Sequence, residues 1–172
     1  MKRMNFLAGA ALALAARALL PRLLLLKFSG AVAKLNAGDH AELLDTYADD
    51  FVLHFNEGPH RWSGEWVGKT GMDLFLRNFT EAGIQGEIKE VATSGPLWAL
   101  NLWVRFDDHA DAPDGTRIYD NRAVLLLRTR WFKVVEQFDY FADTAPIVSF
   151  DRKLTELGVE PVADVRHTAV GS

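Results

Sequence analysis

Residues 117–141 read RIYDNRAVLLLRTRWFKVVEQFDYF. Two β-rich runs, 117–129 and 133–141, flank a turn at Arg130-Trp131-Phe132, and a connection that short folds the second strand straight back on the first. Working backward, residues 97–106 form another such run, with leucines and valine on one face and Asn101, Trp103 and Arg105 on the other. Residues 86–93 alternate similarly ahead of a Ser94-Gly95-Pro96 turn. The stretch 107–116, rich in aspartate and carrying Pro113 and Asp114-Gly115, is expected to be a solvated hairpin loop. Four strands in hairpin reach of one another specify a mostly antiparallel sheet with helices on one face.

The covering helices come first in the chain. Residues 28–35 keep a helical spacing, and Asn36-Ala37-Gly38-Asp39 supplies a glycine to end one helix and an aspartate to cap the next. That second helix is expected to carry Leu43, Leu44 and Tyr47 inward and to break at Asp49-Asp50, before a short strand over 51–55. After a turn at Glu57-Gly58-Pro59, a loop holds Trp62, Gly64 and Trp66. Past Gly68, the positions of Met72, Leu74, Phe75 and Phe79 predict a third helix ending at Gly83.

At 172 residues, 49% apolar and 24% charged, the chain suits a single core. A net charge of −4 removes the general attraction to phosphate backbones, so no nucleic-acid partner is expected. Without cysteine there is no disulfide, thiolate metal site or cysteine nucleophile. No pair of histidines has metal-site spacing, and neither a glycine-rich phosphate loop nor a serine nucleophile elbow occurs; no metal and no cofactor are expected.

Residues 1–27 form a distinct apolar segment. Lys2 and Arg3 precede the apolar run 6–16, and Ala13-Leu14-Ala15 has the small-residue pattern of a signal-peptidase site. Leu19, Leu20 and Leu23 to Leu26 prolong the run to bilayer-spanning length, but Pro21 interrupts it and Arg17 and Arg22 would each cost roughly 2.5–3.5 kcal/mol at a bilayer centre. A helix leaning on a membrane through residues 1–27 is the favoured expectation; a cleaved signal, an anchor and an extended first helix stay open. The expected location is cytoplasmic with membrane association, export or anchoring being the alternative. Residues 28–158 are the folded domain, and 159–172 are expected to be a loose tail.

The order of elements resembles the nuclear transport factor 2-like superfamily, and particular words resemble its SnoaL-like branch: Leu35-Asn36-Ala37-Gly38-Asp39, Tyr47-Ala48-Asp49-Asp50, Trp62-Ser63-Gly64 with Gly68-Lys69, Tyr119-Asp120-Asn121-Arg122, and Asp143-Thr144. That resemblance, over 28–158, implies an α+β, cystatin-like cone: a strongly curved, mostly antiparallel sheet and three helices enclosing an apolar pocket. Relatives include polyketide cyclases, ketosteroid isomerases and limonene epoxide hydrolases. Against the isomerase pattern, Ala31 stands where a tyrosine is required and Phe55 where the base is required. The epoxide hydrolase pattern fits better, with Arg105-Phe106-Asp107 as the arginine–aspartate pair, Asp139 as the second aspartate, Asn56 as a water-binding amide, and His54 in place of a tyrosine.

Function is therefore expected to be binding of a small apolar molecule, with water-mediated acid–base catalysis by Asp107, Arg105, Asp139, Asn56 and His54. Phe55, Trp62, Trp66, Trp103 and Tyr140 are expected to line the pocket. A carrier or sensor without chemistry, and a membrane-tethered interaction module, are the alternatives; a homodimer through the sheet face is the expected assembly. A structural role for each of these residues stands beside the catalytic one: Arg105 and Asp139 as an ion pair, His54 as a wall residue, the tryptophans as core or interface.

Overall fold

The computed structural model describes the backbone of residues 2–162 and the side chains of residues 17–162. The expected tail beyond residue 162, and the side chains of the apolar run 6–16, lie outside the described residues.

The elements are α1 (Lys2–Asn36), α2 (Ala41–Asp45), β1 (Tyr47–Phe55), β2 (Gly64–Val67), α3 (Gly68–Glu81), β3 (Gln85–Ser94), β4 (Asn101–Asp111), β5 (Arg117–Arg130), β6 (Lys133–Phe141) and α4 (Ala145–Glu156). One six-stranded sheet runs in the order β2-β1-β6-β5-β4-β3. Only β1 and β6 pair in parallel; every other neighbour is antiparallel. Register shifts interrupt β1/β6, β3/β4, β4/β5 and β5/β6, and each such irregularity bends its strand, curving the sheet around its inner face.

Strand alternation sorts the residues by face. Leu102, Val104, Phe106, Asp108 and Ala110 of β4 are buried, and Trp103, Arg105, Asp107 and His109 face the other way. Helix α1 closes the inner face with Phe28, Ala31, Val32 and Leu35, and α3 with Met72, Phe75, Leu76 and Phe79. At its last residue α1 grips the sheet edge: Asn36 Nδ2 donates to the Gly86 carbonyl and the Gly86 N–H donates to Asn36 Oδ1, both at 2.9 Å. Gly86 is required there, because a Cβ would lie 2.3 Å from the Phe106 ring.

Four features differ from the sequence expectation. The second helix ends at Asp45, because Thr46 Oγ1 donates to the Leu43 carbonyl and the Val134 N–H takes the Thr46 carbonyl, drawing Tyr47 into β1 opposite Val134. Asp49 and Asp50 sit inside that strand at its register shift, exposed, with Asp50 paired to Arg130 at 2.7 Å. Trp66 belongs to a strand, β2, and is buried opposite Leu53. Residues 107–111 extend β4 rather than forming loop: Asp107 stands across from Arg122 and Asp111 from Arg117, with Asp111 ion-paired to Arg117, while Asp108 and Ala110 turn inward.

A fourth helix, α4, supplements the expected three. Its Ile147, Phe150 and Leu154 are buried, with Phe150 stacked on Tyr119 and on Trp62. The start of the expected tail is tied down: the Val159 carbonyl accepts from Arg61 Nη2 at 2.8 Å, and the Val162 N–H donates to Asn78 Oδ1 at 3.0 Å. Among the described residues, no helix is long and apolar enough to cross a membrane.

Candidate functional site

The hollow of the sheet holds a cavity of about 80 Å³. Phe28, Val32 and Leu35 of α1, Met72 and Phe79 of α3, and Val104, Phe106 and Leu125 of the sheet make its wall almost wholly apolar. Five polar side chains interrupt that wall, Thr46, Tyr47, Asp108, Gln137 and Asp139, of which Thr46 turns its hydroxyl to the Leu43 carbonyl. The other four take part in two short chains. Tyr47 Oη donates to Gln137 Oε1 at 3.1 Å, and Gln137 Nε2 donates to Asp139 Oδ1 at 2.7 Å. Separately, Tyr119 Oη donates to Asp108 Oδ2 at 3.2 Å.

The two carboxyls are buried without a cation in contact, so the neutral acid is favoured over the carboxylate. Burial pushes Asp139 up to about 7, the Gln137 N–H pulls against it, and the charge of Asp108 pushes further. Asp108 is likewise pushed up to about 7 by burial, opposed by the Tyr119 hydroxyl and assisted by the charges of Asp120 and Asp107. Burial, then the nearby carboxylates, raise Tyr47 and Tyr119 well above the ordinary phenol range, so both phenols stay protonated donors. Two interacting acids near neutrality titrate as a pair, the charge on one disfavouring ionisation of the other.

Asp108 also faces a smaller chamber of about 20 Å³ behind the main cavity, bounded by Phe55, Trp62, Tyr119 and Ile147. Asp108 Oδ1 and Trp62 Nε1 are both buried without a hydrogen-bond partner among the described residues. One water fits a chamber of that size, and it would give a partner to an acceptor on one side and a donor on the other.

No protein-family model matches the sequence, and no curated protein matches it. Solved structures do match. Bal32a, from a soil-derived mobile gene cassette, superposes with a TM-score of 0.62 at 19% identity, over 73% of this chain and 94% of that one. A nuclear transport factor 2-like (NTF2-like) protein of unknown function from Burkholderia pseudomallei gives 0.57 at 19%, over 70% and 91%. The chain has the NTF2-like fold. TerC, co-crystallised with polyporic acid, shares it with a TM-score of 0.54 at 20% identity, over 66% of this chain and 86% of that one.

Within this NTF2-like cone the residues singled out from sequence divide between two faces. Asp139 lies inside, at the cavity, and Phe55 and Trp62 line the rear chamber. Trp66 is buried in the core, edge-on to Phe75, its Nε1 donating to the Trp62 carbonyl at 3.0 Å. Arg105 and Asp107 face outward, one strand position out of phase with Asp108, so the Arg105–Asp107–Asp139 constellation does not assemble. Trp103 and Tyr140 also lie on the outer face and are exposed, away from the pocket. His54 faces outward too, stacked on Phe138, with Nδ1 2.8 Å from Glu65 and Nε2 3.5 Å from Glu136. Asn56 is half-buried just past the end of β1 and lines neither chamber.

Asp108, Gln137, Tyr47 and Tyr119 complete the polar set that sequence reasoning passed over. The signal for Asp108 was its phase: it continues the buried alternation of Leu102, Val104 and Phe106 once the strand runs past residue 106. No group of His, Asp or Glu among the described residues is arranged to hold a metal ion.

Proposed function

We propose that the chain binds a small, largely apolar molecule carrying a carbonyl or hydroxyl group, and moves a proton on it with Asp108 and Asp139. The observation that carries this reading is the placement of both carboxyls, each near pH 7, in one otherwise greasy cavity. Asp139, whose Oδ1 accepts from Gln137, is suited to be the carboxylate and base. Asp108, with Oδ1 unpartnered, is suited to carry the proton and donate it to the ligand's oxygen. A proton leaves a carbon beside the carbonyl for Asp139 as Asp108 hydrogen-bonds the developing enolate oxygen, and it returns to a different carbon. This is proton-transfer chemistry of the isomerase or cyclase kind. Epoxide hydrolysis loses support, since its arginine and first aspartate point outward. TerC, which has this fold, was co-crystallised with polyporic acid, and that supports a small-molecule ligand for a cone of this shape.

The test is a thermal-shift and turnover screen of apolar carbonyl compounds against wild type, Asp139→Asn, Asp108→Asn and, as a control, Asp107→Asn. Turnover of a hit is expected to fall by about a thousandfold or more in Asp139→Asn with binding retained, and to stay within about twofold in Asp107→Asn. Full turnover in Asp139→Asn would sink the catalytic reading. Binding of a hit that is recovered unchanged by wild type would leave a carrier.

We also propose that the outer sheet face pairs with a second copy of the chain. Trp103, Leu126 and Phe138 stand in one cross-strand row and Val124 and Tyr140 in the next, a contiguous apolar patch with Trp103, Val124 and Tyr140 exposed.

A further inference from the structure

The hairpin between β5 and β6 turns on Trp131 and Phe132, which hold φ of 50° and 67°. They are the only non-glycine residues at positive φ among those described. A two-residue turn with both φ positive favours Asn-Gly, so two bulky aromatics stand in the least suitable backbone conformation. They gain little burial from the fold in return, being 70% and 64% exposed. An element that is locally unfavourable and buries little within its own chain points to burial against something else.

That something is larger than the hairpin. The Trp131 N–H donates to the Trp98 carbonyl at 2.9 Å, tying the tip to the β3–β4 loop, where Leu97 and Trp98 are more than half exposed. Leu97 and Phe132 share a groove of about 510 Å³ with Arg17 and Leu20 of α1. Leu19, Leu23 and Leu26, on one stripe of that helix by their spacing of four and three, are also more than half exposed. The two loop tips meet the helix at Arg17 and Leu20, and the exposed leucines carry the apolar margin on along that helix, with Arg22 and Lys27 exposed beside them.

Charge selects the occupant. Residues 1–38 contain Lys2, Arg3, Arg17, Arg22, Lys27 and Lys34 and no acidic residue, a net +6. The remaining 13 cations and all 23 acids lie beyond residue 38, so a strongly cationic helix is joined to an acidic body. Leucines among lysines and arginines on a helix, with tryptophans at the same margin, fit the boundary of an anionic lipid bilayer: apolar side chains enter the acyl edge, indoles sit at headgroup depth, and cations meet lipid phosphates. We propose that this margin, formed by α1, Leu97-Trp98 and Trp131-Phe132, docks the protein flat on an anionic membrane surface.

Co-sedimentation of the full chain with vesicles tests this, using phosphatidylcholine alone and phosphatidylcholine mixed with phosphatidylglycerol. Partition onto the mixed vesicles is expected to exceed that onto neutral ones by about tenfold or more and to weaken by a similar factor in high salt. Trp131→Asn with Phe132→Gly is expected to lower partition by about tenfold or more while melting at or above the wild-type temperature, because the turn is then built from the residues it prefers. Leu23→Ser with Leu26→Ser, which touches no turn, is expected to lower partition likewise. Equal partition onto both vesicle types, or none onto either, overturns the proposal. So does a hairpin variant that binds vesicles like wild type but splits a dimer into monomers, since the margin would then be an interface between copies.

Discussion

Asp108 and Asp139 make the fold's stability depend on pH in an unusual direction. A carboxyl that ionises near 4 when unfolded and near 7 when folded binds more protons in the native state throughout that interval. Its stabilising contribution is complete below pH 4 and disappears as pH rises through 7. Each such shift is worth on the order of 4 kcal/mol, and less for the pair together because one charge opposes the other. The melting temperature is accordingly expected to fall between pH 5 and pH 8, and Asp139→Asn, which cannot ionise, is expected to flatten that slope and to melt above wild type at pH 8. A melting temperature that stays level across this range in wild type would show that neither carboxyl is held neutral. The same neutrality serves the proposed chemistry, because an acid and a base of matched strength exchange a proton with little bias.

At the scale of elements, the end of α1 is tied to the sheet by Asn36, whose side-chain amide imitates a backbone pairing with Gly86 at the β3 edge, and whose main-chain carbonyl accepts from Gln85 Nε2. Asn36→Ala removes both bonds and is expected to cost about 1–3 kcal/mol in urea denaturation; Asn36→Asp keeps the acceptor, loses the donor and is expected to fall between the two. A loss under about 0.5 kcal/mol for the alanine variant would mean that water replaces the amide without penalty. The hairpins were legible in the sequence because strands β3 to β6 alternate and short connections join them; Ser94-Gly95-Pro96 and Asp114-Gly115 carry residues that turns favour, whereas the Trp131-Phe132 turn was legible from its length alone. The short β2 was not, since four residues with glycine at one end give too little alternation, and its burial of Trp66 depends on β1 lying beside it. The end of β4 was misread for a different reason: a run of aspartates has the composition of a loop, and only cross-strand arginines on β5 make it a strand. That boundary hid Asp108, while Asp107 was singled out through the resemblance to the epoxide hydrolases; adjacent strand residues face opposite ways, so only Asp108 reaches the cavity. Asp139 was singled out through the resemblance to the epoxide hydrolases, and β6 turns it to the cavity. Helix α4 follows Asp143-Thr144 with Pro146 in its first turn, a start signal that the apolar spacing of Ile147, Phe150 and Leu154 supports, yet its place against Tyr119 and Trp62 is a tertiary fact.

At the scale of the whole molecule, the described residues present three apolar surfaces of different kinds: an enclosed cavity, a loop-and-helix margin, and the outer face of the sheet. The last crosses strands β4, β5 and β6 and is bordered by Arg105, Arg128 and Glu136, with Arg128 and Glu136 paired at 2.8 Å. Open sheet faces of this composition are satisfied by a matching face, since two copies related by a twofold axis bring each row against its own image. Val124 lies opposite Arg105 on β4 and Tyr140 on β6, near the middle of that patch. Val124→Lys adds a cation beside Arg105, harmless in water but, in a twofold contact, buried with like charge from both copies. The wild-type chain is expected to run as a dimer in sedimentation velocity and Val124→Lys as a monomer with an unchanged melting curve below the dimer's dissociation range, while Trp131→Asn with Phe132→Gly leaves the dimer intact. A wild type that sediments as a monomer at every concentration tested would remove the outer face from the assembly and leave its tryptophan and tyrosine without an account.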